Sequence, residues 1–199
     1  MRKGELTRQK ALEASVGLAS RLGLGGLTIA SLADELGLSK SGLFAHFQSK
    51  EALQVQTLEA AAERFTDAVI RPALAAPRGV PRLRELCERW LVWPRVVPQE
   101  GGCLFVAAAV ELDDQPGPAR DTLVRIQRDW LDFLAGTVRI AVAEGHFQPK
   151  TDAAQLAFEI YGVMLSTHHA HRLLGDPKAA ARARRALDDL IARHAVARH

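Results

Sequence analysis

Apolar residues recur along this chain at the three- and four-residue spacing that is typical of amphipathic helices. Between residues 6 and 22 the apolar stripe consists of Leu12, Val16, Ala19 and Leu22. Prolines and glycines separate this stretch from the later helical stretches, and no stretch shows the strict alternation of apolar and polar residues that indicates a strand. The pattern therefore predicts an all-α protein.

Two short helices joined by a tight turn are predicted between Leu27 and Leu53. Thr28 can cap the first helix, Gly37 can adopt the left-handed conformation that ends it, and Ser39 can cap the second. The apolar faces of the two helices consist of Ile29, Leu32, Ala33, Leu36, Leu43 and Phe47. Because these faces pack against each other, the other side of the second helix points outward. This layout is typical of a DNA-reading helix-turn-helix.

The outward residues of the second helix have chemistry that suits a major groove. Lys40 and Ser41 lie in its first turn, where short donors and acceptors reach base edges, and Lys50 supplies another cation for phosphates. Phe44 and His46 follow on the outward side. Short helices in any all-helical protein produce a similar spacing, so the helix-glycine-helix pattern alone is weak evidence.

A longer phrase makes the interpretation specific. Residues 37–53 read GLSKSGLFAHFQSKEAL, and this phrase resembles the operator-binding segment of the tetracycline-repressor (TetR) family of bacterial transcriptional regulators. The chain departs from the usual residues of that family at two positions. Phe44 stands where a tyrosine is usual, so a hydroxyl that would bond a phosphate is missing, and Ser41 stands where glycine or alanine is common.

The resemblance implies a DNA-binding role for each matched position. The residues that it carries over are Thr28, Ser39, Lys40, Ser41, Phe44, His46 and Lys50. It further implies a sequence-specific regulator, expected to be a repressor that a small effector releases from a palindromic operator in double-stranded DNA. The alternative is a helical small-molecule-binding or protein-interaction module without DNA function, to which the missing tyrosine hydroxyl gives some weight.

The chain is long enough for a small DNA-binding domain, called the reader below, and a larger second domain. We predict a three-helix helix-turn-helix DNA-binding domain in residues 1–50 and a helical effector-binding and dimerisation domain in residues 51–199. A fourth helix, from Ser49 until Pro72 and Pro77, joins them and is the expected lever between effector and DNA. Charge follows the same division, because residues 1–50 contain seven Lys/Arg and four Asp/Glu whereas the remainder contains nineteen of each.

The last two predicted helices indicate how the chain associates. They begin at Asp152 and Asp176, and both carry apolar stripes. In the resembled family the corresponding helices pack with their twins as a four-helix bundle, which implies a homodimer. The tentative interface consists of Met164, His168, His171, Leu187, Leu190 and Ile191. The alternative is that these stripes face the core of the monomer.

Aromatic residues on several predicted helices are candidates for the wall of an effector pocket. Together with one cysteine, the tentative pocket residues are Trp90, Trp93, Cys103, Phe105, Trp130, Phe133, Phe158 and Tyr161. The absence of a cluster of charges from these helices favours an apolar or weakly polar effector over a highly charged one. Ordinary core packing is the alternative for each residue, since large aromatics fill helical interiors with or without a ligand.

Other function classes lack their signatures. The chain has no G-x-S-x-G, G-x-x-x-x-G-K-[ST] or H-E-x-x-H motif, so we expect neither an enzyme nor a cofactor. His168 and His171, without a nearby cysteine or carboxylate, make an incomplete metal site. No apolar stretch approaches the roughly 20 residues of a membrane span and no secretory signal is visible, so we expect a cytoplasmic protein. Cys87 and Cys103 are then expected to be buried thiols, with a redox switch as the alternative.

Overall fold

The structure of the protein is a computed structural model that describes residues 3–96 and 101–197. Its helices are α1 (Lys3–Gly26), α2 (Ile29–Leu36), α3 (Lys40–Phe47), α4 (Lys50–Phe65), α5 (Arg71–Leu74), α6 (Val80–Val96), α7 (Leu104–Leu112), α8 (Pro118–Ala143), α9 (Ala153–Arg172) and α10 (Ala179–His194). Outside these helices, the described residues hold a π-helical turn between α4 and α5 and one antiparallel bridge pair, Phe147 with Ala195. The prediction of an all-α fold is confirmed.

The predicted fourth helix differs from the structure in its second half. It changes to a π-helical turn at Thr66–Ile70, where the N–H of Arg71 donates to the carbonyl of Thr66. Pro72 follows in the first turn of α5. Because proline has no N–H to donate, a regular helix would lose a hydrogen bond at this position. The π-helical turn therefore ends two residues before Pro72, the residue that interrupts the regular series of helical hydrogen bonds.

The described residues form two compact units. The first unit takes in residues up to Arg64 together with Val97–Ile126, so it contains α1 to α4, α7 and the start of α8. Its core includes Val16, Leu32 and Phe47, which are fully buried. A buried polar pair fastens α1 to α4, since the Thr57 hydroxyl donates to the Ser15 hydroxyl at 2.9 Å.

The second unit takes in Phe65–Val96 and the residues from Gln127 onward. Its core includes Leu83 and Leu86 of α6, Leu134 of α8 and Ile160 of α9, all fully buried. The predicted division at residue 50 follows the chain order, whereas the compact units interleave along it; that division stays a prediction. Among the described helices, none combines the length and the apolar character that crossing a bilayer requires.

Candidate nucleic-acid interface

Reciprocal capping defines the start of α2. Thr28 has an extended backbone, and its hydroxyl accepts a hydrogen bond of 2.9 Å from the N–H of Ser31. The hydroxyl of Ser31 accepts one of 2.9 Å from the N–H of Thr28 in return. Two backbone donors that the helix cannot satisfy are thereby paired, as in a capping box. The Thr28 side chain is half-buried and acts as the N-cap of α2.

The turn between α2 and α3 is set by one glycine and one serine. Gly37 adopts φ 62° and ψ 32°, the left-handed region that a residue without Cβ enters at little cost. The N–H of Leu38 then donates to the carbonyl of Ala33 at 3.0 Å, which closes the end of α2. Ser39 begins the next helix by accepting a hydrogen bond of 3.2 Å from the N–H of Gly42.

Helix α3 buries one side and exposes the other. Leu43 is 1% exposed and Phe47 is fully buried, whereas Phe44 is 57% exposed. Ser39, Lys40 and Ser41 are exposed at the start of the helix, and His46 is half-buried with its ring edge-on to Phe47. The helix therefore presents cationic, hydroxyl and aromatic groups on a short surface, and this is the chemistry required for phosphates and base edges.

The two lysines of this surface have different surroundings. No hydrogen bond or ion pair within the described residues engages the Lys40 ammonium, so it is available to a ligand. The Lys50 ammonium instead donates to the carbonyl of Gly25 at 2.7 Å. Lys50 therefore stabilises the turn before α2, with two ammonium hydrogens left for another acceptor.

Sequence reasoning missed a carboxylate that stabilises the same turn. The helical geometry of α1 breaks at Gly23, which has φ 77°. After this break, the N–H groups of Leu24 and Gly25 donate to the two carboxylate oxygens of Glu111 at 3.1 and 2.8 Å. Gln54 donates to the carbonyl of Leu24 at 2.7 Å. No local pattern marks Glu111, because its partners lie 86 and 87 residues away in the chain.

Four aromatic residues of the second unit form one cluster. The ring of Phe65 lies edge-on to Trp93 and Trp130, at centroid distances of 5.3 and 5.0 Å. Trp130 stacks with Phe133 at 6.4 Å. Three of the four were pocket candidates, and Phe65 was missed because its spacing marked it only as part of an apolar helix stripe. The indole N–H of Trp130 is buried without a hydrogen-bond partner in the described part of the chain.

The other pocket candidates lie elsewhere. Phe158 is 70% exposed on α9 and does not join the cluster. Tyr161 is half-buried and its hydroxyl donates to Gln127 at 2.6 Å. Trp90 is buried in the second unit, whereas Cys103 and Phe105 are buried residues of the first.

The Cys87 thiol is an unreactive group in this structure. Burial, with a smaller contribution from the Glu88 carboxylate, raises its pKa from 9.0 to about 12. A thiol is a nucleophile only when it has lost its proton, so Cys87 stays in the inactive form at neutral pH.

The candidate interface residues divide into two groups. Met164 is fully buried, and Leu187, Leu190 and Ile191 are between 4% and 6% exposed within their own unit. These side chains pack mainly within their own unit, and of the four only Leu190 also borders the surface groove between α9 and α10 that is described below. His168 is half-buried and His171 is exposed. Burial lowers the pKa of His168, and the positive charge of Arg172 lowers it further.

Two family models match this chain. Residues 79–187 match the model described as "Tetracyclin repressor-like, C-terminal domain", which spans more than half of the chain. Residues 11–56 match the model described as "Bacterial regulatory proteins, tetR family". The chain belongs to the TetR family. The resemblance seen in residues 37–53 is thus confirmed, and the protein has the DNA-binding and ligand-binding domains of TetR-family transcriptional regulators.

Solved structures support the same TetR-family fold. A TetR transcriptional regulator from Chloroflexus aurantiacus J-10-FL is 26% identical, with a TM-score of 0.88 and 98% of each chain covered. A protein from Saccharomonospora viridis, solved with choline, is 24% identical with a TM-score of 0.82, covering 98% of this chain and 100% of its own. AibR, solved with isovaleryl coenzyme A and operator DNA, is 19% identical with a TM-score of 0.72, covering 94% and 97%. The last two identities show likeness of fold alone. No curated protein matches the chain in a sequence comparison.

Proposed function

We propose that this TetR-family protein is a repressor that binds a palindromic operator as a homodimer and leaves it when a small, weakly polar effector binds. The exposed side of α3 carries the proposal. Its exposed Lys40 and Ser41 are held at the start of a helix whose two ends are fixed by Ser39 and by packing of Phe47. Residues 1–50 are the proposed reader, and residues 51–199 the proposed effector-binding and dimerisation domain.

The reading of DNA is assigned to a subset of the matched residues. Lys40, Ser41, Phe44 and His46 are proposed to contact DNA directly, because they lie on or beside the exposed side of α3. Thr28, Ser39 and Lys50 are proposed to act mainly through the positions of the helices, because their polar atoms cap α2, cap α3 and hold Gly25. Lys50 keeps donors for a phosphate as well.

The dimer is proposed to form on the outer side of α9 and α10. A surface groove of about 710 Å³ runs between these helices. Its walls include the small residues Gly162, Ser166 and Ala170 of α9 and Ala183 and Ala186 of α10. Small side chains let the backbones of partner helices approach closely, which suits a four-helix bundle of two α9–α10 pairs.

Exposed apolar side chains on α9 support this choice of surface. Phe158 and Leu165 are 70% and 38% exposed and lie two helical turns apart, so they share one face.

Two copies of α3 held by such a symmetric pair would lie in successive major grooves, about 34 to 36 Å apart. An effector that binds better to a form with another separation would shift the population away from DNA.

The effector is proposed to bind at the aromatic cluster around Trp130. Apolar rings supply the walls, and the unpartnered indole N–H of Trp130 supplies one buried donor. A buried donor without an acceptor is costly, so a ligand that brings a carbonyl or hydroxyl oxygen gains a hydrogen bond there. A weakly polar molecule with one acceptor fits this site better than a highly charged one.

Selection of bound fragments from genomic DNA of the source organism tests the proposed function. The purified protein is expected to enrich a palindrome and to bind it more weakly as salt rises, because phosphate contacts release counterions. The matched control is the Lys40→Ala/Ser41→Ala/Phe44→Ala variant, which changes only exposed residues of α3 and is expected to lose the enrichment. A protein that enriches no sequence, or a variant that enriches the same one equally, would overturn the proposal in favour of a module without DNA function.

The effector site has its own test. A thermal-shift screen of apolar and weakly polar compounds is expected to find ligands that raise the melting temperature and release the selected DNA. Trp130→Phe keeps a six-membered aromatic ring and removes the N–H donor. It is therefore expected to lower the affinity for oxygen-bearing ligands more than the affinity for hydrocarbons. Equal weakening of both would contradict the proposed hydrogen bond.

A further inference from the structure

The exposed side of α3 is apolar at its centre. Ser41, Phe44 and Ala45 are all exposed, and Phe44 and Ala45 follow Ser41 by three and four residues, which places them on one face of α3. A hydroxyl lies at the start of this face, and a phenyl ring and a methyl group follow it. The proposed base-reading surface therefore has an apolar centre that cannot form hydrogen bonds.

The exposure of Phe44 is unusual for its side chain. The ring is 57% exposed although Leu43 and Phe47, its neighbours on the same helix, are buried. The packing of the helix-turn-helix does not require Phe44, since the α2-facing side of α3 is already filled by those two residues. An exposed aromatic ring on a binding surface is a candidate contact for a partner.

Charge indicates which partner covers this ring. Lys40 lies one turn before Phe44 on α3 with its ammonium unengaged, and residues 1–50 carry an excess of three positive charges. An unengaged lysine on a short exposed helix, in a region with excess positive charge, is complementary to the phosphates that border a major groove. This complementarity presupposes the proposed function, in which α3 enters DNA.

Within a major groove, a phenyl ring has few suitable contacts. Base edges there offer hydrogen-bond donors and acceptors, which a phenyl ring cannot pair, and one apolar group, the C5-methyl of thymine. We propose that Phe44, with the Ala45 methyl beside it, is a specificity-determining residue that recognises thymine through this methyl group. The operator of this protein then contains a thymine in each half-site at the position that Phe44 reaches.

Deoxyuridine substitution tests the contact because it removes the methyl group and leaves the base-pairing edge intact. The duplex that the protein selects is synthesised with each thymine replaced in turn, symmetrically in both half-sites, and its affinity is measured by fluorescence anisotropy. At the contacted thymine we expect affinity to fall about fourfold for each methyl removed, the fold-change that corresponds to burial of one methyl-sized group. Thymines outside the selected palindrome serve as the control positions.

Variants of Phe44 identify the side chain that makes the contact. Phe44→Ala removes the ring, and since Phe44 is exposed the variant is expected to melt at the same temperature as the parent. It should bind the thymine and the deoxyuridine duplexes equally, whereas Phe44→Leu, which keeps an apolar side chain, should retain most of the difference. This thermodynamic cycle isolates the pairwise interaction from other effects of either change.

Two results would overturn the inference and leave the proposed function standing. The parent protein could bind every deoxyuridine duplex as tightly as the thymine duplex; if Phe44→Ala then bound both duplexes equally but more weakly, the ring would be assigned to the sugar-phosphate backbone. Alternatively, Phe44→Ala could keep the full preference for thymine, which would place the methyl contact on another residue. A selection that returns no duplex is different, because it overturns the proposed function itself.

Discussion

The Oε2 atom of Glu111 accepts a hydrogen bond of 2.8 Å from the backbone N–H of Gly25. Its other carboxylate oxygen accepts one of 3.1 Å from Leu24. Glu111 lies on α7, within the region of the C-terminal family model, whereas Gly25 lies in the last turn of α1, after the break at Gly23. A single carboxylate thus ties the turn before α2 to a helix from much later in the chain.

We expect Glu111→Gln to destabilise the protein by about 1.5–3 kcal/mol, the range for hydrogen bonds to a charged group. The amide can accept from one N–H, but its NH₂ group would face the other donor. Urea denaturation measures the loss of stability, and hydrogen exchange measures faster opening at residues 24 and 25. Asp114→Asn is the matched control, because Asp114 is an exposed carboxylate of the same segment. Equal effects of the two substitutions would show that the contact contributes nothing.

Two glycine substitutions test the same contact independently. Gly23 has φ 77°, and an added Cβ would lie 2.6 Å from the Glu111 carboxylate, whereas Gly37 has φ 62° with open space around it. At Gly37, whose ψ of 32° gives a left-handed helical backbone, alanine costs about 1–2 kcal/mol. At Gly23, whose ψ of 163° lies in a region that is almost confined to glycine, alanine costs about 1–3 kcal/mol from the backbone alone. We expect Gly23→Ala to be the more destabilising, since it also displaces Glu111. A smaller effect at Gly23 than at Gly37 would contradict a stabilising carboxylate.

Lys40 and Lys50 are expected to respond differently to truncation. Lys40→Ala should reduce the slope of log affinity against log salt by the amount that corresponds to about one phosphate contact per protomer. It should leave the melting temperature unchanged. Lys50→Ala should also reduce the free energy of unfolding, by about 1 kcal/mol, because the hydrogen bond to Gly25 is lost. Anisotropy titrations over a range of salt and urea denaturation of the same samples separate the two effects. An unstable Lys40→Ala protein would refute the distinction.

Phe158→Arg is expected to convert the proposed dimer into a monomer. The ring is 70% exposed on the face of α9 that is proposed to meet its twin, so two buried guanidinium groups would face each other across a symmetric interface. Analytical ultracentrifugation gives the mass of each form. Leu74→Arg is the matched control, because Leu74 is an exposed leucine on another helix, α5. A dimer that persists in Phe158→Arg would exclude this face as the interface.

His168 is expected to make stability depend on pH. Burial, and then the positive charge of Arg172, lowers its pKa below the ordinary value of 6.5, so the folded protein holds the imidazole neutral. The unfolded chain then binds the proton more readily, and stability that is present above pH 6.5 is lost as the pH falls. His168→Gln should flatten this decline in urea denaturation between pH 7.5 and 5.5. His169→Gln should flatten it less, because His169 is exposed and its charge is the smallest of the causes that lower the pKa of His168. The same decline in all three proteins would rule out His168 as its source.

The helix ends of the reader were predictable from the sequence because the forces that set them are local. Thr28, Gly37 and Ser39 act on backbone groups within four residues of themselves, through hydroxyl caps and a left-handed turn. Such effects depend on residue type and spacing, which a single chain displays directly. The helix-turn-helix and its exposed residues could therefore be placed before the structure was known.

The partners of apolar stripes could not be predicted in the same way. Met164 and Phe158 both lie on α9, and both are large apolar residues on a helix. Met164 is fully buried inside the second unit and Phe158 is 70% exposed. An apolar residue lowers its free energy by leaving water whether its neighbours belong to its own unit or to a partner, so periodicity cannot distinguish the two cases.

By itself, the amino-acid sequence determined the all-helical class, the family and the exposed residues of α3, because helix periodicity, capping and a contiguous motif are properties of neighbouring residues. Only the tertiary structure decided that Glu111 binds the turn at Gly25, that Phe65 completes an aromatic cluster, and that the candidate interface leucines are core. These contacts join residues far apart in the chain, and their energies depend on distance and burial, which arise when the helices pack.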